Sequence, residues 1–311
     1  MGCSPSAVRF VVGEYASILA HHGDAFAKAD LVLPTPEHFP DEFHRDEESV
    51  HALLERTMSY TPLADDLEVR LGFVEGEAQS GGGCSSGACG STGTGWSRVD
   101  GVIDEDEGYR VLVHVADTGS PVRLVGSLAR SVGALLSCES GVAQDGDIGA
   151  RSEVWAGAAG FGVLLLSASH VYSKSCGGVN VHQGTMLDVH ALATMLALFC
   201  AVRGIKPSKA ATHLGPTPRE AFDEAWRVVD SNRELVRKLR ETPELLEDGV
   251  FDLEPPKGIL SRLFGGKTEP KAPVSAPRRA QSAEDRRRLE EARALVDEAL
   301  GDPNTTPIRW P

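Results

Sequence analysis

Aromatic residues are scarce in this chain: only 6% of its 311 residues are Phe, Trp or Tyr. A core short of large flat side chains must be filled by Ala, Leu and Val, and 33 Gly with 18 Pro add many turns. Positive charge is short as well, with 31 Lys and Arg against 45 Asp and Glu, a net charge of −14. A polyanionic partner needs a basic footprint, so this deficit argues against nucleic acid. No basic stretch followed by an apolar run opens the chain, so a cytoplasmic setting with reduced thiols is expected for Cys3, Cys84, Cys89, Cys138, Cys176 and Cys200. The start, MGCSPS, matches the short N-myristoylation pattern at Gly2, which segments of this length also match by chance. Long hydrophobic runs are missing too. The longest, Val154 to Val171, reaches the lower edge of a spanning helix. It is diluted by Gly, Ala and Ser and preceded directly by Arg151 and Glu153, so a buried helix is expected and no transmembrane segment.

What remains is ordinary for a folded protein: 41% hydrophobic and 24% charged residues, enough for a real core. Helical spacing is clear over 8–28, 47–60, 120–136, 152–172 and 184–203, and Thr217-Pro218-Arg219-Glu220 reads as a capping box opening a helix to about Arg240. Between the first two, the prolines of LVLPTPEHFPDEF, 31–43, force extended or turn geometry. Period-two alternation marks strands at 67–75 and 109–116. Three regions follow from composition: a body over 1–254 with a Gly/Cys-rich loop at 76–101, a Pro-rich linker at 255–281, and a short amphipathic tail helix at 282–300. Residues 256–311 hold 11 Lys and Arg against 8 Asp and Glu, which leaves the tail at +3 and residues 1–255 at −17. A mildly basic tail beside an acidic body makes 256–300 a candidate docking segment for a protein partner.

The usual catalytic signatures are also missing. No Lys lies between Cys84 and Tyr109, so the loop GGGCSSGACGSTGTG cannot be a Walker A phosphate cradle. No G-x-S-x-G elbow is present. Cys84 and Cys89 supply two thiols at C-x4-C, half of a zinc set; a disulfide and a plain surface loop are the alternatives, and no cofactor is otherwise expected. His170, Asp188 and His190 are the residues from which a relocated hydrolytic site would be built, with Cys138 or Cys176 as thiol; a hydrogen-bonded core His190 is the simpler reading. In LVGSLARSVGALL, 124–136, Leu124, Val125, Leu128, Val132, Leu135 and Leu136 form the inward stripe, and Ser127, Arg130 and Ala134 face away from it.

Four stretches, LVLPTPEHFPDEF at 31–43, SPVRLVGSLARSVGALL at 120–136, SEVWAGAAGFGVLLLSA at 152–168 and HALATMLALFCAVRG at 190–204, resemble successive landmarks of a group of bacterial zincin-like proteins. In that group the second landmark reads A-H-E-L-A-H, and the third carries an acidic residue followed by T-D-L. The resemblance implies a mostly helical α+β body with a small two- or three-stranded antiparallel sheet and a flexible C-terminal tail. It also implies that the chemistry is lost. Ala129 matches the leading Ala, but Arg130 stands at the first His, Ser131 at the Glu, and Ala134 at the second His, with Val132 and Gly133 between. Glu153 keeps the acidic position, and Gly157 falls where the Asp would be. Two neutral imidazoles at i and i+4 bind the zinc and the carboxylate activates water, so the group's mechanism cannot run on Arg, Ser and Ala. The expectation is a non-catalytic relative acting in binding or assembly, with Arg130 and Glu153 paired in place of the metal or holding an anion. An interaction module working through the C-terminal linker and helix is the first alternative, and the relocated hydrolase the second.

Overall fold

Ser4 and Pro5 open the first helix, the serine side chain accepting the Ala7 amide and the proline occupying a first-turn position that needs no N–H. The computed structural model describes residues 4–74, 98–99, 101–105, 108–141, 148–175 and 178–253, and of 98–99, 172–175 and 178–182 only the backbone. All of these belong to one compact unit, Met1–Lys257. The expected linker and tail helix, Cys84 and Cys89, and nearly all of the Gly/Cys-rich loop lie outside the described residues.

The elements run α1 (Pro5–Phe26), α2 (Glu47–Met58), β1 (Val69–Val74), β2 (Arg98–Val99), β3 (Val102–Glu105), β4 (Gly108–His114), a short α3 (Val115–Thr118), α4 (Pro121–Glu139) and α5 (Ile148–Ala156). A wide π turn (Gly157–Phe161) leads into α6 (Gly162–Ala168), then β5 (Val171–Ser175), β6 (Gly178–His182), α7 (Val189–Arg203), α8 (Pro207–Ala211), α9 (Pro216–Ser231), α10 (Arg233–Glu241) and a 3-10 turn (Pro243–Leu246). The class is α+β, mostly helical with a small sheet, and no helix among the described residues is long and apolar enough to cross a membrane. The uncharged run from Val154 is instead buried inside the body.

The sheet order is β1-β4-β3-β2, and here the expected antiparallel arrangement is corrected: β1 and β4 are parallel, Val69 opposite Tyr109 through Val74 opposite His114. β3 and β4 form a tight antiparallel hairpin, Glu105 opposite Gly108, which occupies one edge of β4 and leaves β1 the other. A parallel pair needs a crossover of a dozen residues or more, and residues 75–107 provide it. A second antiparallel hairpin, β5–β6, begins at Val171, inside the last residues of the helix expected to 172.

Two other boundaries differ from the periodicity reading. The 152–172 helix is broken at Gly160, whose φ of 98° lies in the left-handed region that side chains avoid. A Cβ there would sit 1.9 Å from the Asp30 carbonyl oxygen, because the proline-rich segment passes directly over it and Val32 N–H donates to Gly160 O at 3.1 Å. The helix begun at 217 starts instead at Pro216 after Gly215, and Asn232 divides it into α9 and α10. Small residues set the helix spacing. Gly126 of α4 faces Ala168, and Gly133 faces the Ser152 carbonyl of α5, so the α4 glycines do admit α5 and α6 closely. Gly157 and Gly162, however, face Met195 and Leu196 of α7, not α4. α7 lies at the centre, every residue from Ala191 to Cys200 being buried.

Candidate functional site

The side of α4 read as facing away from its stripe is not a solvent face. Ser131 is 3% exposed and Ala134 0%; a Cβ at Gly101, between β2 and β3, would lie 3.7 Å from Ser131 Oγ, and α5 packs against α4 through Gly133. Of the degenerate motif only Arg130 keeps partial access, and its Nη1 donates to the Gly184 carbonyl oxygen at 3.2 Å. On α5, Glu153 is fully buried, and its two carboxylate oxygens accept separate backbone amides, Met186 N–H at 2.7 Å and Leu187 N–H at 2.8 Å.

Both residues therefore hold the same loop, 183–188, which links β6 to α7. The loop completes its own bonding around that hold. Thr185 Oγ1 donates to Leu187 O at 2.9 Å, Gln183 Nε2 donates to Thr185 O at 3.2 Å, and Gly184 N–H donates to Ala168 O at 3.2 Å. Asp188 then accepts the Ala191 amide at 2.8 Å and caps α7. A buried carboxylate is costly unless hydrogen-bonded, and two amide donors on separate oxygens meet that need. Arg130 and Glu153 are thus joined through the loop.

A zinc ion does not fit this arrangement. Arg130 is a permanent cation and Ala134 has no donor atom, while the Glu153 oxygens already face two N–H groups. At Gly157 a Cβ would lie 2.6 Å from Met195 Cγ, so the space an aspartate would use is filled. Among the described residues no group of three His, Cys, Asp or Glu side chains is arranged to hold a metal ion.

The residues of the relocated site are distributed differently. Asp188 is the exposed cap of α7, which accounts for a carboxylate beside an apolar helix. His190, in the first turn of α7, lines a cavity of about 190 Å³ with Val12, Leu198, Ala225 and Val229, and neither His170 nor Asp188 belongs to that lining. His170 is half-buried just before β5. The Cys138 thiol is pushed up to about 11, mainly by burial and further by Asp104 and Glu139, and burial pushes Cys200 up to about 12. Thiols held this high are protonated at neutral pH and are poor nucleophiles.

The sequence reading did not anticipate the 183–188 loop as the partner of Arg130 and Glu153. The signal was local: Gln183, Thr185 and Asp188 are residues that bond to nearby backbone, and they precede an apolar helix. Compared with family models, curated proteins and solved structures, the chain matches none.

Proposed function

We propose that this is a non-catalytic zincin-like protein that acts in binding or assembly, with a protein as its partner. One observation carries the proposal: the positions corresponding to the group's ligand and acidic residues, Arg130 and Glu153, hold the 183–188 loop by backbone hydrogen bonds instead of presenting lone pairs to a metal. A carboxylate whose two oxygens accept backbone amides is fixed in place with lone pairs already engaged, which supports a structural role over that of a general base. Ser131 and Ala134 are buried and have no access to a substrate. What the arrangement does instead is fix the entry of the central helix α7. The body becomes a rigid scaffold, the kind of structure that serves recognition.

The test uses the full chain. A denatured protein substrate is incubated with it, with and without added zinc, and partners are recovered from a lysate of the source organism by affinity capture followed by reconstitution from purified components. No cleavage in either condition, together with a reconstituted stoichiometric complex, supports the proposal. Zinc-dependent cleavage that disappears in Glu153→Gln overturns it.

A further inference from the structure

The C-terminal half of α1, the end of α7 and the end of α10 enclose a cleft of about 470 Å³, within the size range of small-molecule sites and remote from the 183–188 loop. Phe26, Phe199 and Leu239 give it buried apolar surfaces, and polar groups make up the rest of its lining. Tyr15 also lines it. That side chain is 1% exposed, and its hydroxyl makes no hydrogen bond with any described residue. The hydroxyl is nevertheless absent from the polar atoms shut off from solvent, so the trace of surface that Tyr15 retains includes it. A buried tyrosine hydroxyl ordinarily finds a partner, and one directed into a cleft takes it from what enters.

Charge narrows the choice of ligand. The Arg203 guanidinium stands at the cleft close enough to act on the Tyr15 phenol, and it makes no ion pair among the described residues. Arg240, the other cation, is already engaged: its Nε donates to Val202 O at 2.9 Å and its Nη2 to Ala201 O, which caps the C-terminus of α7. Asp24 and Glu244 stand on the rim as exposed carboxylates. With two guanidiniums against two carboxylates the cleft has no net positive charge to hold a polyanion such as a nucleotide, and Arg203, whose donors are not taken by carbonyls as those of Arg240 are, suits a single carboxylate.

We propose that this cleft binds a small organic monocarboxylate, its carboxylate on Arg203 and the Tyr15 hydroxyl and its apolar body against Phe26, Phe199 and Leu239. The inference is independent of the reading of the Arg130 and Glu153 positions. A charged hydrogen bond is stronger than a neutral one, so both polar contacts should discriminate acid from amide.

The test is calorimetric titration of the full chain with 3-phenylpropanoate and, separately, with 3-phenylpropanamide, which keeps the shape and loses the charge. One molecule of the acid is expected per chain, bound about tenfold or more tightly than the amide. Arg203→Gln, an exposed substitution, should abolish that preference, and Tyr15→Phe, which removes only the hydroxyl, should weaken acid binding about tenfold with the melting temperature nearly unchanged. The proposal is overturned by no binding of the acid at millimolar concentration, by equal binding of acid and amide, or by acid binding that neither variant alters.

Discussion

Glu153 and Leu187 are joined by a 2.8 Å hydrogen bond from a backbone amide to a fully buried carboxylate, and the other oxygen of that carboxylate takes the amide of Met186. The arrangement gives a buried carboxylate a structural task. It fixes the loop before α7, and with it the helix on which the centre of the body is built.

Exchanging one of those oxygens for an NH2 group should be costly. In Glu153→Gln one amide loses its acceptor and meets a second donor, an expected loss of about 1.5–3 kcal/mol in urea unfolding. Hydrogen exchange should accelerate at Met186 and Leu187 before it does in α7. A loss below about 0.5 kcal/mol, the range of surface substitutions, would remove the loop-holding role.

Gly160 and Gly204 separate backbone strain from crowding. Both have positive φ, 98° and 67°, but a Cβ at Gly160 meets the Asp30 carbonyl at 1.9 Å, whereas nothing lies within 4 Å at Gly204. Gly204→Ala should cost about 1–2 kcal/mol, the left-handed penalty alone. Gly160→Ala adds the clash with backbone and should cost well beyond about 3 kcal/mol or prevent folding. Equal costs in thermal unfolding would contradict the close passage of the 30–32 segment over the π turn.

The two described cysteines should be slow to alkylate. With Cys138 at about 11 and Cys200 at about 12, the thiolate is a minor species at about pH 8, and the buried Cys200 sulfur is also shielded. Iodoacetamide labelling read by peptide mapping should leave Cys200 unmodified until denaturant is added and label Cys138 far more slowly than a free thiol. Rapid labelling of Cys200 in the folded protein would contradict its placement in the core.

Glu14 gives a pH dependence with a definite sign. Burial raises its pKa above 4.5, and the Arg151 guanidinium at 3.0 Å opposes the rise without cancelling it. The folded state therefore holds this proton more tightly than the unfolded chain, and the contribution of Glu14 to stability falls as pH rises through the window above 4.5. Glu14→Gln removes that term. The stability of the variant relative to the native chain should increase from about pH 4 to about pH 7 in parallel denaturant titrations, and a decrease would reverse the assignment.

The sequence made some of this legible through local signals. The proline breaks at 31–43, the 3.6-residue stripe of α4 and the alternation in β1 and β4 all act over a few residues, and they appear in the structure. What periodicity could not show depends on distant chain. The break at Gly160 exists because Asp30 passes over it, and an unbroken apolar run conceals that. Ala134 reads as facing away from the stripe of α4 because a single helix has two sides; in the fold it is fully buried. The parallel register of β1 and β4 required knowing which edge of β4 the β3 hairpin had taken. At the candidate site, Arg130 and Glu153 were legible as charged residues beside apolar helical stretches. Their common partner was not, since a backbone amide leaves no mark in a sequence.

The most direct measurement is the zinc content of the full chain carrying Cys84→Ser and Cys89→Ser, so that the C-x4-C pair cannot contribute, after incubation with zinc and removal of the unbound metal. The proposal predicts well under about 0.1 zinc per chain, unchanged by Arg130→Ala or Glu153→Gln, because Glu153 is the only one of the corresponding positions with a carboxylate and it faces two amides. One zinc per chain, lost in Glu153→Gln while the fold is retained, would contradict it.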